Sequence, residues 1–154
     1  MITDNNQLPD VIPESTMKCQ RSIYEHFDTR EHHVYSGEEL ESIIKDNFEE
    51  DVHLSYQKLR PYAYKADLGR LCLLYLYGGL YLDFNLLFVN GLKQQVLENH
   101  KFCSFLFDNY RHLKGLCFVN GVVYAERGSV VMKNAIDIIV GVPVTKLTRC
   151  FSIA

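Results

Sequence analysis

The chain has 154 residues, 47% of them apolar and 23% charged, which suits one globular domain with a real core and excludes a disordered segment. Its formal charge of -3, with the basic residues scattered and no basic stripe, excludes nucleic acid as the main partner. Cys19, Cys72, Cys103, Cys117 and Cys150 stand far apart with no close pair, so their spacing excludes a zinc site and fits reduced, mostly buried thiols in a cytoplasmic protein.

In chain order, the first ten residues are mostly polar with no basic start, so no signal peptide is expected. Met17, Ile23, Tyr24 and Phe27 are spaced for an amphipathic helix over 15–27, and 31–35 suits a short strand. The adjacent His32 and His33 point in different directions, as in a loop or strand and not as paired metal ligands. Ser36-Gly-Glu-Glu39 forms a capping box that opens a helix reaching 47, with Leu40, Ile43 and Ile44 on its inner face. Glu38, Glu39, Glu41 and the acidic residues of 46–51 read as a solvated helix face and its following loop, since the spacing of a calcium-binding loop is lacking.

Residues 48–62 are mixed and interrupted at Pro61. Over 63–77, Leu68, Leu71, Cys72, Tyr75 and Leu76 recur at helical spacing until Gly78 and Gly79 stop the helix. A short, largely apolar stretch, 80–85, then predicts a buried strand ending at Asp83 and Asn85. A helix over 92–99, strands over 102–107 and 118–125, and a serine-capped helix over 129–140 follow. No apolar run is long enough to cross a membrane. Alternating helices and strands predict an α/β layer structure, one domain over 1–154. It lacks an apolar opening strand and an element closing the chain after the last helix, so a truncated form is expected.

Three residues apart on one helix, Asp67 and Arg70 share a face. Asp83 and Asn85, two apart on a strand, point the same way. If Gly78-Gly79 turns the chain back, the strand end meets the helix and brings these four groups to one crevice at a strand's carboxyl end, where open α/β sheets bind ligands. Asp83 and Asn85 are hard oxygen donors for Mg²⁺ or Mn²⁺ bridging a diphosphate; Arg70 pairs with a phosphate or orients Asp67, and Asp67 accepts from sugar hydroxyls. Spacing alone leaves a plain helix salt bridge and an acidic turn residue equally open.

Lys65-Ala-Asp67-Leu-Gly-Arg70 followed by Leu74-Tyr-Leu-Tyr-Gly78-Gly79-Leu-Tyr81-Leu-Asp83-Phe-Asn85 resembles the DXD-containing sugar-binding region of glycosyltransferase family 32. That family shows Asp-x-x-Arg, a helix, then Tyr-Gly-Gly-x-Tyr-x-Asp-x-Asp, and the clostridial glucosylating toxins share the pattern more distantly. Similarity extends less specifically over 8–35 and over Asn120-Gly-Val-Val-Tyr-Ala-Glu-Arg-Gly128. The resemblance implies a GT-A fold: a Rossmann-like α/β/α sandwich, here incomplete at its termini, binding a nucleoside-diphosphate sugar with Mn²⁺ or Mg²⁺. It also implies transfer of a hexose to a saccharide or glycolipid acceptor with retention at the anomeric carbon. Asp67 and Arg70 would contact the donor sugar, Asp83 the donor or the metal, and Asn120 the sugar or acceptor, a β-bulge or turn role for Asn120 being equally open. Asn85 takes the place of the second metal-ligating Asp, and Tyr81 packs the motif.

Asn85 supplies no negative charge, which weakens metal affinity. No nucleophile for a double displacement is identified, which leaves a front-face route assisted by the leaving phosphate. Three functions remain in view: this transferase, a truncated or decayed non-catalytic paralogue that binds sugar nucleotide weakly or acts as a partner, and an unrelated small α/β interaction domain. By analogy with the family, a cytoplasmic enzyme of surface-polysaccharide biosynthesis is expected, in peripheral membrane contact at most.

Overall fold

A computed structural model describes residues 11–26, 32–60, 62–89, 99–107 and 117–141. Among them the order is α1 (Glu14–His26), α2 (Gly37–Asn47), α3 (Glu50–Lys58), α4 (Tyr62–Tyr77), β1 (Gly79–Leu82), β2 (Phe102–Phe107), β3 (Cys117–Ala125) and α5 (Val130–Gly141). The expected helix over 92–99 and the tail beyond 141 fall almost wholly outside the described residues.

Helix α2 begins as its capping box dictates: Ser36 Oγ accepts from Glu39 N–H at 3.2 Å, and Glu39 Oε2 accepts from Ser36 N–H at 2.7 Å. The bond from the Ser36 backbone to the carboxylate, helped by the Ser36 side chain, holds Glu39 below its ordinary pKa. Residues 32–35 form a loop where a strand was expected; the side chains, not a sheet, fix it. Tyr24 hydroxyl and His32 Nδ1 lie 2.6 Å apart, and the rings of His33 and Tyr35 stack. Helix α3 was not expected from the mixed pattern of 48–62. Its signal lies in Val52, Tyr56 and Leu59, spaced four and three apart and all buried.

Helix α4 is the centre of the fold and carries apolar residues around much of its circumference. On one side Leu68 and Cys72 join Leu40 and Ile44 of α2, Val52 and Tyr56 of α3, and Ile136 of α5. A β-carbon at Gly69 would run into Leu40, so α2 and α4 approach closely there. On the other side Leu74 packs with Met132 of α5 and with Val123 and Ala125 of β3. Burial pushes the Cys72 thiol up to about 12. Cys19, Cys72 and Cys103 are free thiols.

The described strands form an antiparallel sheet in the order β1-β3-β2. Helices and sheet are mixed as an α/β reading requires, but the parallel sheet of a Rossmann-like layer is not found among the described residues. Strand β1 is shorter than expected and only half-buried. It ends at Leu82, and Asp83 continues the ladder by one bond, its N–H donating to Gly121 O at 2.8 Å. Leu86 N–H then donates to Asp83 O at 3.3 Å, closing a turn over 83–86. Strand β3 bulges against β2: Ser104 pairs with Val123, while the next residue, Phe105, pairs with Val119.

Gly78 and Gly79 have φ of 69° and 102°, the left-handed backbone needed to reverse the chain between α4 and β1. Gly78 N–H bonds Leu74 O at 2.9 Å, and Gly128 N–H reaches Tyr75 O at 2.8 Å, so the helix end is capped from two directions. A β-carbon on Gly78 would lie 2.6 Å from the Arg127 amide nitrogen. Gly78→Ala therefore combines left-handed strain with a backbone collision, and urea denaturation should show a loss of about 2–3 kcal/mol.

Candidate functional site

The glycine turn sets the site's geometry. From Gly78 back to Arg70 the helix climbs about 12 Å at 1.5 Å per residue. From Gly79 to Asp83 the returning strand covers about 13 Å at 3.3 Å per residue. The two side chains therefore end level. Tyr81 and Asp83, two apart, share the sheet face that Val123 presents to the helices, since Tyr81 pairs with Val123.

Arg70 is the hub and is only 7% exposed. Its Nε donates to Ala66 O at 3.3 Å, one turn back along α4. Nη1 donates to Asn120 O at 2.5 Å and to Asp83 Oδ1 at 3.3 Å, and Nη2 pairs with Asp67 Oδ1 at 2.8 Å. The guanidinium also lies 4.5 Å from the centre of the Tyr81 ring. Tyr81 hydroxyl donates to Asp83 Oδ1 at 2.7 Å, and Asn120 Nδ2 donates to Asp67 Oδ1 at 3.0 Å. All three guanidinium nitrogens thus have protein acceptors. Through Nη2 the guanidinium holds Asp67, and through Nη1 it holds Asp83.

Asp67, Arg70, Asp83 and Asn120 are therefore one hydrogen-bonded group drawn from α4, the end of β1 and β3. Asn85 stands apart from the expected geometry. The period-two rule fails for it because the chain has left the strand and entered the 83–86 turn, where Asn85 is exposed. The segment is tied down just beyond, where Phe88 N–H donates to Ser22 Oγ of α1 at 3.0 Å. Shallow hollows on the surface of α2, lined by residues such as Glu38, Ser42 and Ile43, lie away from the group and hold none of its side chains.

Burial raises the pKa of Asp67 above the ordinary carboxylate value; Arg70 pulls the other way, and Asp83 adds to the rise. Burial likewise raises the Tyr81 phenol, which keeps it protonated as a donor to Asp83. Among the described residues no group of three or more His, Cys, Asp or Glu side chains could hold a metal ion. Mg²⁺ needs only one or two protein carboxylates when substrate phosphates and water complete its shell. Asp83 offers one carboxylate of that kind, while Asn85 lies two residues on in the exposed turn.

The Asp-Arg-Asp group, centred on the buried Arg70, sits at a helix–strand turn in a framework of helices and a small antiparallel sheet. The description "glycosyltransferase sugar-binding region containing DXD motif" matches residues 13–103, more than half of the chain, and the chain belongs to that family. It is 30% identical over 91 residues to an uncharacterized glycosyltransferase of Acanthamoeba polyphaga mimivirus, a match covering 58% of this chain and 34% of the relative. The chain thus spans about a third of the length of that curated relative. No solved structure matches. Asn120 lies beyond the matched stretch, and its place in the group comes from geometry alone.

Arg70→Met removes the cation between two carboxylates and should cost about 3 kcal/mol in urea denaturation, the partial exposure of Asp83 keeping it at the low end for a broken buried pair. In carboxyl-detected NMR, Asp67 of the unaltered chain should titrate above the ordinary aspartate value, and higher still in Arg70→Met. The sign follows from linkage. A carboxyl harder to ionise when folded weakens the fold above its folded-state pKa, and that penalty is relieved as pH falls through it.

Proposed function

We propose that this domain binds a nucleoside-diphosphate sugar and transfers its hexose to a saccharide or glycolipid acceptor, with retention, within a GT-A-like architecture. The observation that carries the proposal is the convergence of Asp67, Arg70 and Asp83 around one guanidinium. Both named bonds to Asp67 fall on Oδ1, and its side chain is 17% exposed, so Oδ2 is assigned to the sugar hydroxyls. Arg70 acts through the two carboxylates it holds and not directly on phosphate. Asp83 and Asn85 would hold Mn²⁺ or Mg²⁺; when bound, such an ion neutralises charge on the departing diphosphate. Asn120 fixes Asp67 from the opposite strand. The departing sugar centre meets the acceptor hydroxyl on the face of the leaving group, since no side chain of the group is assigned as a nucleophile.

The wide spacing of the cysteines in the sequence supports a reducing, cytoplasmic setting, and analogy with the family supports surface polysaccharide as the product class. Among the described residues no helix is long and apolar enough to cross a membrane. A second reading, a non-catalytic paralogue that binds sugar nucleotide weakly, is favoured by Asn85 and by the engagement of all three Arg70 guanidinium nitrogens with protein acceptors.

Thermal denaturation with UDP- and GDP-sugars, with and without Mn²⁺, tests the donor assignment. A cognate donor at about 100 times its Kd adds about 2.7 kcal/mol and raises Tm by about 5–10 °C. The rise should require Mn²⁺ and vanish in Asp83→Ala; no shift with any donor removes the proposal. Asn85→Asp, which restores a negative ligand, should increase the metal-dependent shift. Release of diphosphate in Asn85→Asp but not in the unaltered chain would select the non-catalytic reading.

A further inference from the structure

We propose that the bulge of β3 at 120–122, left without a side chain at Gly121 and held by Ser104, is a positioning device that aims the Asp83 carboxylate at the ligand and the Asn120 amide at Asp67. The inference rests on the donor-binding reading for its purpose, but its structural content stands separately.

Gly121 lies directly opposite Asp83, one step beyond the pair of Leu82 with Val122. A β-carbon there would lie 2.7 Å from Asp83 Oδ2 and 3.2 Å from Cγ. That separation is well inside van der Waals contact. The carboxylate cannot swing away freely, because Oδ1 is fixed by Tyr81 hydroxyl at 2.7 Å and by Arg70 at 3.3 Å. Gly121 thus permits the one orientation in which Oδ1 faces the buried guanidinium while Oδ2 lies over the β3 backbone.

The pairing shift explains how β3 serves two neighbours at this point. Against β2, residues 120–122 fall between the pair of Ser104 with Val123 and that of Phe105 with Val119. Their backbone is released from β2, so Asn120 O is free to accept from Arg70, while Gly121 O keeps its place in the β1 ladder by accepting from Asp83 N–H. Ser104 closes the gap: Oγ lies 3.0 Å from Val119 O and 3.3 Å from Val122 O, its single proton shared between carbonyls on either side of the bulge. Bulges next to sites characteristically re-aim side chains, and a glycine in a strand marks such a place. Asn120 and Gly121 would then act as one unit, the first holding Asp67 and Arg70, the second leaving room for Asp83. Gly121 and Ser104 are positioning residues and touch no ligand.

A double-mutant cycle in urea tests the device without reference to activity. Gly121→Ala should lower the folding equilibrium constant by about fivefold or more when Asp83 is present, and by less than about twofold in the Asp83→Ala background. Equal losses in both backgrounds overturn the proposal, because a merely structural glycine would not depend on Asp83. Ser104→Ala in the folded protein should weaken the Mn²⁺-dependent Tm shift given by UDP- or GDP-sugars at least about threefold in apparent affinity, and so should Gly121→Ala. Unchanged affinity in both variants overturns the positioning role. If the unaltered chain binds no donor while the cycle shows coupling, the Asp83 seat is supported and the donor-binding function falls.

Discussion

A guanidinium that is almost out of contact with water must find protein acceptors for its N–H groups, and that requirement organises the centre of this domain. Arg70 meets it with two backbone carbonyls and two carboxylates taken from three parts of the chain. Each acceptor imposes a condition. Ala66 O comes from the helix itself. Asp83 arrives only if the chain reverses at once after Tyr77, which fixes two consecutive glycines in left-handed backbone. Asn120 O is available only where β3 has let go of β2. The motif's spacing is thus the length of a helix–turn–strand return measured in residues, and inserting one residue on either limb would separate the charges.

The same centre gives the family relationship physical content. The two motif aspartates differ in surroundings. Asp67 is largely buried and hard to ionise, compensated by Arg70 and the Asn120 amide. Asp83 is more exposed and held by a phenol that burial keeps protonated. A helix packed on most sides carries both, through the α2–α3–α5 core on one flank and the sheet on the other. Rigid support of this kind keeps a polar group aligned where loops would not.

Local signals carried much of this in the sequence. The capping box at Ser36, the apolar recurrence in α4 and the paired glycines each specify a conformation by short-range chemistry, and each is present as expected. Convergence of Asp67, Arg70 and Asp83 followed from adding two periodicities to one turn. Asn85 did not follow, because alternation along a strand holds only while the strand lasts, and the turn closed by Leu86 ends it. The loop at 32–35 was misjudged because β-prone residues there pack against Tyr24 and one another instead of a neighbouring strand. Helix α3 was hidden by its charged first turn, although Val52, Tyr56 and Leu59 carry its inner stripe. The α/β character expected from alternating helices and strands is present, while the antiparallel order β1-β3-β2 of the described strands had no local signal, since pairing partners far apart in the chain leave no local trace. Ser104 had no signal at all; Gly121 had a weak one, a glycine amid β-branched neighbours.

The bond between Phe88 N–H and Ser22 Oγ gives the segment after the motif a second anchorage, sixty-six positions away in the chain. Residues 84–87 therefore span two fixed posts, one on the sheet at Asp83 and one on α1. Asn85 rides on that short bridge. Its distance from the carboxylate group is governed as much by where α1 rests as by the strand that precedes it, so the first helix bears on the end of the motif from which it is most distant in the chain.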